Sequence, residues 1–232
     1  QVHKIPMEKL SVVGAGFDDR LFGFNPDTDA KKSSGPVEMV FAGKLSRAKG
    51  VLWLLRALEK KPRLNCRLHL AGSGSGPEMA ECIERAETMG DRVVLHGALS
   101  HADLAGLMRR AHLFVLPSFF EGLPLVIMEA LASGCRVLTT ALPGTMEIIG
   151  RIDPDMVDLV ELPELETVDS PFEQDLHGLE ETLSQALEKA VGKILVKRQP
   201  DTACAGQITR ACTWETVFSR MEAVYRQVSR GG

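Results

Sequence analysis

Apolar positions along the chain switch repeatedly between short unbroken runs and stripes at helical spacing. Val37 to Ala42 reads as a buried strand, after which Val51, Leu54, Leu55 and Leu58 fall on one helical face. Leu64 to Ala71 is strand-like, Pro77 to Met89 helix-like, and Val93 to His96 a short strand. Leu104, Leu107, Met108 and Ala111 form a helical stripe, followed by a strand at Leu113 to Leu116, a helix at Leu125 to Ala132 and a strand at Arg136 to Thr139. Short apolar runs alternating with helices mark βαβ units. Runs apolar on both faces suit a parallel sheet covered by helices. Residues 37–160 are therefore expected to form one α/β unit, a doubly wound parallel sheet of Rossmann-like type.

The pattern changes on either side of that span. Asp153 to Ser170 is polar, has Pro154, Pro163 and Pro171 in or beside it, and predicts mostly loop. Phe172, Leu176, Leu179, Leu183, Leu187 and Ala190 predict a long amphipathic helix, and Trp214, Val217, Phe218, Met221, Tyr225 and Val228 a second. The apolar face of the second has to pack on something, its own sheet being the simplest partner. The first 24 residues do not join the alternation. The expected organisation is a lead-in over 1–24, a sheet domain over 25–200 and a helical segment over 201–232.

Composition narrows the class. With 44% hydrophobic and 25% charged residues, the 232-residue chain is of ordinary globular type, not disordered or collagenous. A net charge of -4 gives no basic excess for nucleic acid, so none is expected as a partner. The longest apolar run, Leu123 to Met128, is far short of the roughly 18–20 residues that span a bilayer. No apolar stretch near Gln1 suggests a signal peptide, and the absence of an initiator Met leads us to expect a fragment or a processed chain. Five cysteines without a CxxC pair fit free thiols in a reducing, cytoplasmic setting.

Candidate chemistry collects at the ends of expected strands. In Pro117-Ser-Phe-Phe-Glu121-Gly122-Leu123-Pro124-Leu125, Glu121 follows a strand and precedes a helix, with Pro124 suited to that helix's first turn. A helix amino end there offers unpaired N–H groups and a positive dipole end to an anion such as a diphosphate. Glu129, eight residues on, would lie about 12 Å along a helix axis at 1.5 Å per residue. Taken singly, Glu121 also fits a first-turn acid, and Glu129 a solvated stripe in an apolar helix. Gly43-Lys44, with Arg47 and Lys49-Gly50, follows the first strand and could stabilise phosphate charge, or be a solvated cationic loop. Gly72-Ser-Gly74-Ser-Gly76-Pro77 fails as a dinucleotide fingerprint, because Pro77 stands where the third glycine belongs and no acid follows the next strand.

In order along the chain, Val12-Val-Gly-Ala-Gly16-Phe-Asp18, Gly43-Lys44-Leu45 with Lys49-Gly50, Ala71-Gly72-Ser-Gly74, Glu121 with Glu129, Gly144-Thr-Met-Glu147 and Thr213-Trp214-Glu215 resemble the C-terminal half of GT-B glycosyltransferases of the group 1 (GT4) retaining family. The resemblance covers roughly residues 10–150 and 213–226. It departs at Lys44, where the family usually has Arg and its planar fork, and at Ala15-Gly16, where Asn-Gly is usual.

The resemblance implies a donor-binding domain for a nucleotide-sugar, associated with cell-envelope polysaccharide synthesis. It implies a diphosphate held by Lys44 and Lys49 beside Gly43. Glu121, the expected catalytic residue, would face the donor sugar and phosphates together with Gly122, Leu123, Pro124 and Leu125. Glu129 would accept hydrogen bonds from ribose hydroxyls, and the Gly97-Ala98-Leu99 loop would lie near the base. Glu147 is a further candidate that also has a structural reading. No metal or other cofactor is expected, the D-x-D strings Asp27-Thr-Asp29 and Asp153-Pro-Asp155 lying in loops. An acceptor-binding N-terminal domain is expected as the missing partner, reached by the lead-in and the last helix, and the chain alone is expected to be inactive in transfer. Membrane contact would be peripheral and through the full enzyme, at the inner face. A non-catalytic nucleotide-binding or scaffold module, and a GT-B-type epimerase or phosphorylase, are the alternative readings.

Overall fold

The computed structural model describes residue 6 and residues 10–29, 31–149 and 154–230. Strands β1 (Val37–Ala42), β2 (Cys66–Ala71), β3 (Val93–Gly97), β4 (Leu113–Leu116), β5 (Arg136–Thr140) and β6 (Val157–Val160) form one sheet in the order β3-β2-β1-β4-β5-β6. Every neighbouring pair in it is parallel. Helices α1 (Val51–Glu59), α2 (Gly76–Thr88), α3 (His101–Arg110), α4 (Leu125–Ala132) and α5 (Pro143–Ile149) alternate with the strands. The doubly wound sheet is thus the one the apolar pattern predicts. All six positions of β1 and all four of β4 are buried, as strands covered on both faces require.

The chain turns back on itself between β1 and β4. Strand order runs outward in one direction from β1 to β3 and in the other from β4 to β6. The loops leaving the carboxyl ends of β1 and β4 therefore diverge around a crevice, which is where open α/β sheets bind ligands.

The expectation that Asp153 to Ser170 is mostly loop is corrected. Val157–Val160 is the sixth strand of the sheet, and Leu165–Thr167 (β7) pairs with Ser170–Pro171 (β8) as a small antiparallel ribbon. The strand was hidden by Asp158, whose carboxylate is buried against Lys193 of α6 (Leu176–Val196) and lies 3.6 Å from the Arg136 guanidinium. Paired in this way, an acid can occupy a covered strand whose Val157 and Val160 side chains are buried. Pro154 and Pro163 stand outside the strand.

The expected helices of the last third are α6, on which α1 packs, and α8 (Trp214–Arg230). An additional helix, α7 (Thr202–Ala211), starts at Asp201, whose carboxylate accepts the Ala203 and Cys204 N–H groups. The lead-in is tied to this region: the Phe17 N–H donates to the Cys212 carbonyl, and Phe17 and Phe22 are buried. Val217 of the second amphipathic face is buried, while Trp214, Phe218, Tyr225 and Val228 along α8 remain exposed, so that face is covered only in part. All five cysteines are free thiols. Among the described residues no helix is long and apolar enough to cross a membrane.

Gly50 fixes how closely the β1 and β4 loops approach. It caps α1 with a φ of 71°, and a Cβ there would stand 2.0 Å from the Pro117 carbonyl oxygen. Gly76 has nearly the same φ (72°) but open space around it. Gly50→Ala is expected to cost about 3 kcal/mol or more, against about 1 kcal/mol of backbone strain for Gly76→Ala. For a chain of this size the difference is several degrees of Tm, roughly 2–4 °C per kcal/mol, read by thermal unfolding. Equal losses from both variants would show that loop apposition adds nothing beyond φ.

Candidate active site

The β1 loop (43–50) and the β4 loop (117–124) meet backbone to backbone. The Phe119 N–H donates to the Ala48 carbonyl at 2.9 Å, and Trp53 of α1 stacks on the Phe119 ring with centroids 5.2 Å apart. On this platform the Lys49 ammonium donates to Glu121 Oε1 at 2.8 Å. Ser118 Oγ donates to the same oxygen at 2.6 Å. Thr140 Oγ1, at the end of β5, donates to the Ser118 carbonyl at 2.6 Å. Glu121 is thus held by Lys49 from the β1 loop and by Ser118 from its own loop, with Thr140 of β5 bracing Ser118. Both of its bonds end on Oε1, and no described residue hydrogen-bonds Oε2.

A groove of about 620 Å³ opens beside this platform. Ala42, Gly43 and Lys44 form one wall, Ala71 to Ser75 the next, and Ala98, Leu99, His101, Leu104 and Val126 complete it. The glycine run after β2 has a packing role: a Cβ at Gly72 would stand 1.8 Å from the Gly43 carbonyl oxygen, so this glycine lets two strand ends touch. The groove is lined mostly by glycine, alanine, serine and apolar residues, with Lys44 and His101 as its ionisable groups.

Glu129 lies one turn beyond Val126 on α4. Helix α4 begins at Leu125, with Pro124 at φ -76° and ψ 84° as its cap. The expected placement of Pro124 in the first helical turn is corrected, and with it the axial span. Of the stretch from Glu121 to Glu129 only Leu125 to Glu129 is helical, about 6 Å of rise. Pro124 sits at the cap because its own ψ is not helical. Burial pushes the Glu129 carboxyl above the usual carboxylate range, and the positive charge of His101 draws it part of the way back. No described residue hydrogen-bonds this carboxylate, so it holds acceptor capacity in reserve in a half-buried place.

The remaining expected residues divide. Gly43, Lys44 and Leu99 line the groove, while the Gly97 carbonyl is taken by the Gly72 N–H at 2.7 Å. Gly122 is held by α5, since a Cβ on Gly144 would stand 1.7 Å from the Gly122 carbonyl oxygen. Leu123 lines a separate small cavity with Gly14, Ala15, Glu147 and Arg220, so Glu147 is not brought to the groove. Leu125 opens α4. Of the D-x-D strings, Asp27 and Asp29 close a turn with Asn25, and Asp29 lies 3.5 Å from Arg109; Asp153 lies outside the described residues. Sequence reasoning missed Ser118 and His101. Ser118 sits inside the quoted Glu121 segment, three residues before the carboxylate, and that spacing was a usable signal. His101 had none, because its place in the groove depends on α3 packing beside α4.

Comparisons with known proteins bear on the family and the fold. A profile of the family described as "Glycosyl transferases group 1" matches residues 36–160. An uncharacterized glycosyltransferase of Methanocaldococcus jannaschii is 30% identical over 157 residues, 64% of this chain and 40% of the relative. The glycogen synthase of Mycobacterium tuberculosis strain H37Rv is 25% identical over 229 residues, 97% of this chain and 50% of the relative. Among solved structures, Anabaena HepE in complex with UDP and glucose superposes with a TM-score of 0.67 at 18% identity, over 93% of this chain and 55% of that one. The chain thus spans about half or less of the length of the curated relatives it matches. On the family match over more than half its length and a parallel sheet with its candidate site at the strand-order reversal, the chain belongs to the group 1 glycosyltransferases.

Proposed function

We propose that this chain is the donor-binding half of a retaining GT-B glycosyltransferase of GT4 type, acting on a nucleotide-sugar. The observation that carries the proposal is the Lys49–Glu121 pair, held at the β1/β4 crevice beside a groove lined by Gly43, Lys44 and by Val126 of α4, the helix that also carries Glu129. In this reading the donor diphosphate lies along Gly43, Lys44 and the amino end of α4, and Lys49 exchanges part of its bond to Glu121 for phosphate oxygens. Gly122, Leu123, Pro124 and Leu125 supply backbone to the same ligand. Glu121 faces the sugar, Glu129 accepts the two ribose hydroxyls, and the segment from Gly97 to Leu99 lies near the base. As the sugar–phosphate bond breaks, negative charge grows on the departing diphosphate and positive charge on the sugar. Lys44, Lys49 and the α4 dipole end meet the first and the Glu121 carboxylate the second. The reading needs no metal for this, because these groups carry the compensating charge.

The acceptor half is proposed to lie on polypeptide beyond this chain. The relatives that are about twice as long support this, as do the exposed Trp214, Phe218, Tyr225 and Val228 of α8. The lead-in and α8 would then join the two halves, and the chain alone would bind nucleotide weakly and transfer little. The five free cysteines fit a reducing, cytoplasmic setting, with membrane contact through the full enzyme at its inner face.

Calorimetry of the chain with UDP, GDP and ADP tests the proposal. At least one is expected to bind, and absence of all three at millimolar concentration would leave a scaffold module instead. Lys49→Ala is expected to weaken the bound nucleotide about tenfold, the effect of losing roughly 1.4 kcal/mol. In the longer polypeptide, Glu121→Gln is expected to lower sugar transfer by about a hundredfold or more, the usual scale for removing a charge-stabilising group.

Glu129 carries a pH dependence whose sign follows from its raised pKa. Nucleotide affinity should fall on acidification, starting above the usual carboxylate range, because the protonated acid loses acceptor capacity. Folding stability runs the other way. A carboxyl raised by burial stabilises the folded chain at low pH, and this contribution is lost as pH rises through the folded pKa. Glu129→Gln should therefore raise Tm near pH 7, with a gain that shrinks toward pH 4, while weakening nucleotide binding. A lower Tm at pH 7 would contradict it.

A further inference from the structure

A second cavity, of about 440 Å³, opens between α1, the β7–β8 ribbon and the start of α6, and shares no lining residue with the groove of Lys44. Its volume is that of a small-molecule site, roughly 300–1,000 Å³. Leu52 and Trp53 of α1, with Pro171 and Leu176, give it an apolar strip. Trp53 ties it to the candidate active site, because the same ring stacks on Phe119, two residues before Glu121. Arg47 ties it there again, since it belongs to the β1 loop that carries Lys49. The cavity therefore lies next to the crevice and outside the groove.

Its polar groups divide by element. From the β1 loop and α1 come the Arg47 and Arg56 guanidiniums, both already paired. Glu81 lies 3.4 Å from the first and 3.2 Å from the second, and Glu180 lies 3.5 Å from Arg56. A guanidinium has five N–H donors, so each keeps donors to spare while its charge is compensated. From the ribbon and the turn after it come Glu166, Asp169, Ser170 and Glu173. The Glu166 and Glu173 side chains are exposed and bond to no described residue. Asp169 Oδ1 accepts from Thr167 Oγ1 at 3.1 Å, and no described residue bonds its Oδ2. The buried Trp53 ring also has an indole N–H without a partner among the described residues. An unpaired donor in a ring that lines a cavity calls for an acceptor that enters as water or ligand.

Spare donors and spare acceptors thus meet beside an apolar strip. A hydroxyl is donor and acceptor at once, and a sugar ring carries several of them around a C–H surface. An anion would meet three uncompensated carboxylates, and a cation would meet two guanidiniums. We propose that this cavity is a saccharide-binding site that anchors the acceptor as a neutral sugar chain, its end directed to the Lys49–Glu121 pair. The inference rests on the glycosyltransferase reading above and names the acceptor class for it. It gives this half of the enzyme a share in holding the acceptor.

Saturation-transfer NMR on the chain with maltotriose, cellotriose, mannotriose and triacetylchitotriose tests the site. At least one is expected to bind at millimolar concentration, and to stay bound when the best-binding nucleoside diphosphate is added in excess. Glu166→Ala and Glu173→Ala remove side chains that bond to nothing else described, and each is checked for an unchanged melting curve. Together they are expected to weaken the saccharide about tenfold, the loss of two charged acceptors partly screened by solvent. Nucleotide binding should not change. Absence of binding by all four saccharides, binding that the double variant leaves intact, or release of the saccharide by nucleotide would overturn the inference. So would spermidine or glycine binding more tightly than any saccharide and losing that binding in the double variant, which would mark a site for amines. Saccharide binding by a chain that binds no nucleotide would leave this inference standing and overturn the donor-binding proposal.

Discussion

The closeness of the loops leaving β1 and β4 governs the rest of the architecture. Gly50 touches the Pro117 carbonyl, the Phe119 N–H reaches Ala48, and Trp53 stacks on Phe119. These contacts bring residues 72 positions apart into one ion pair, Lys49 with Glu121. They are possible because β1 and β4 are neighbours in the sheet although three helices and two strands separate them in sequence. A side chain larger than hydrogen at position 50 would part the loops and move the lysine away from the glutamate.

The site that results combines a rigid part and an open one. Glu121 Oε1 is taken by Lys49 and Ser118, and the Thr140 hydroxyl fixes Ser118 from β5. Such hydrogen-bonded networks hold functional groups in place before a ligand arrives. The groove beside it is lined largely by small and apolar residues, with Lys44 and His101 as its ionisable members. That division suits a ligand with a strongly charged segment next to a less polar one. Glu129 completes it at a cost, since a carboxylate half-buried without a hydrogen-bond partner destabilises the fold in its charged form. Groups of this kind mark sites where function opposes stability.

Much of this was legible in the chain itself. The unbroken run Val37–Ala42 and the helical stripes after it specify covered strands and amphipathic helices, because burial on two faces or one leaves different periods in the sequence. The order of Gly43, Lys44, Lys49, Glu121 and Glu129 along those elements was enough to raise the family resemblance. Asp158 shows where pattern reading stops. Alone it breaks an apolar run, and only its pairing with Lys193 and Arg136 makes it compatible with β6. Local residues likewise could not say that Pro124 would cap α4 instead of entering it, since that depends on the ψ imposed where the β4 loop packs on α5.

The sequence by itself determined the α/β alternation, the covered strands and the residue types at their carboxyl ends, because each depends on neighbours within a few positions. Tertiary structure alone decided which strand ends meet and therefore which charges pair. Lys49 and Ser118 converge on Glu121 through strand order. His101 reaches the groove wall beside Val126 through the packing of α3 beside α4. Glu147 faces the lead-in cavity because α5 is locked against Gly122. Each of these requires contacts between segments distant in sequence, and no local period or propensity encodes them.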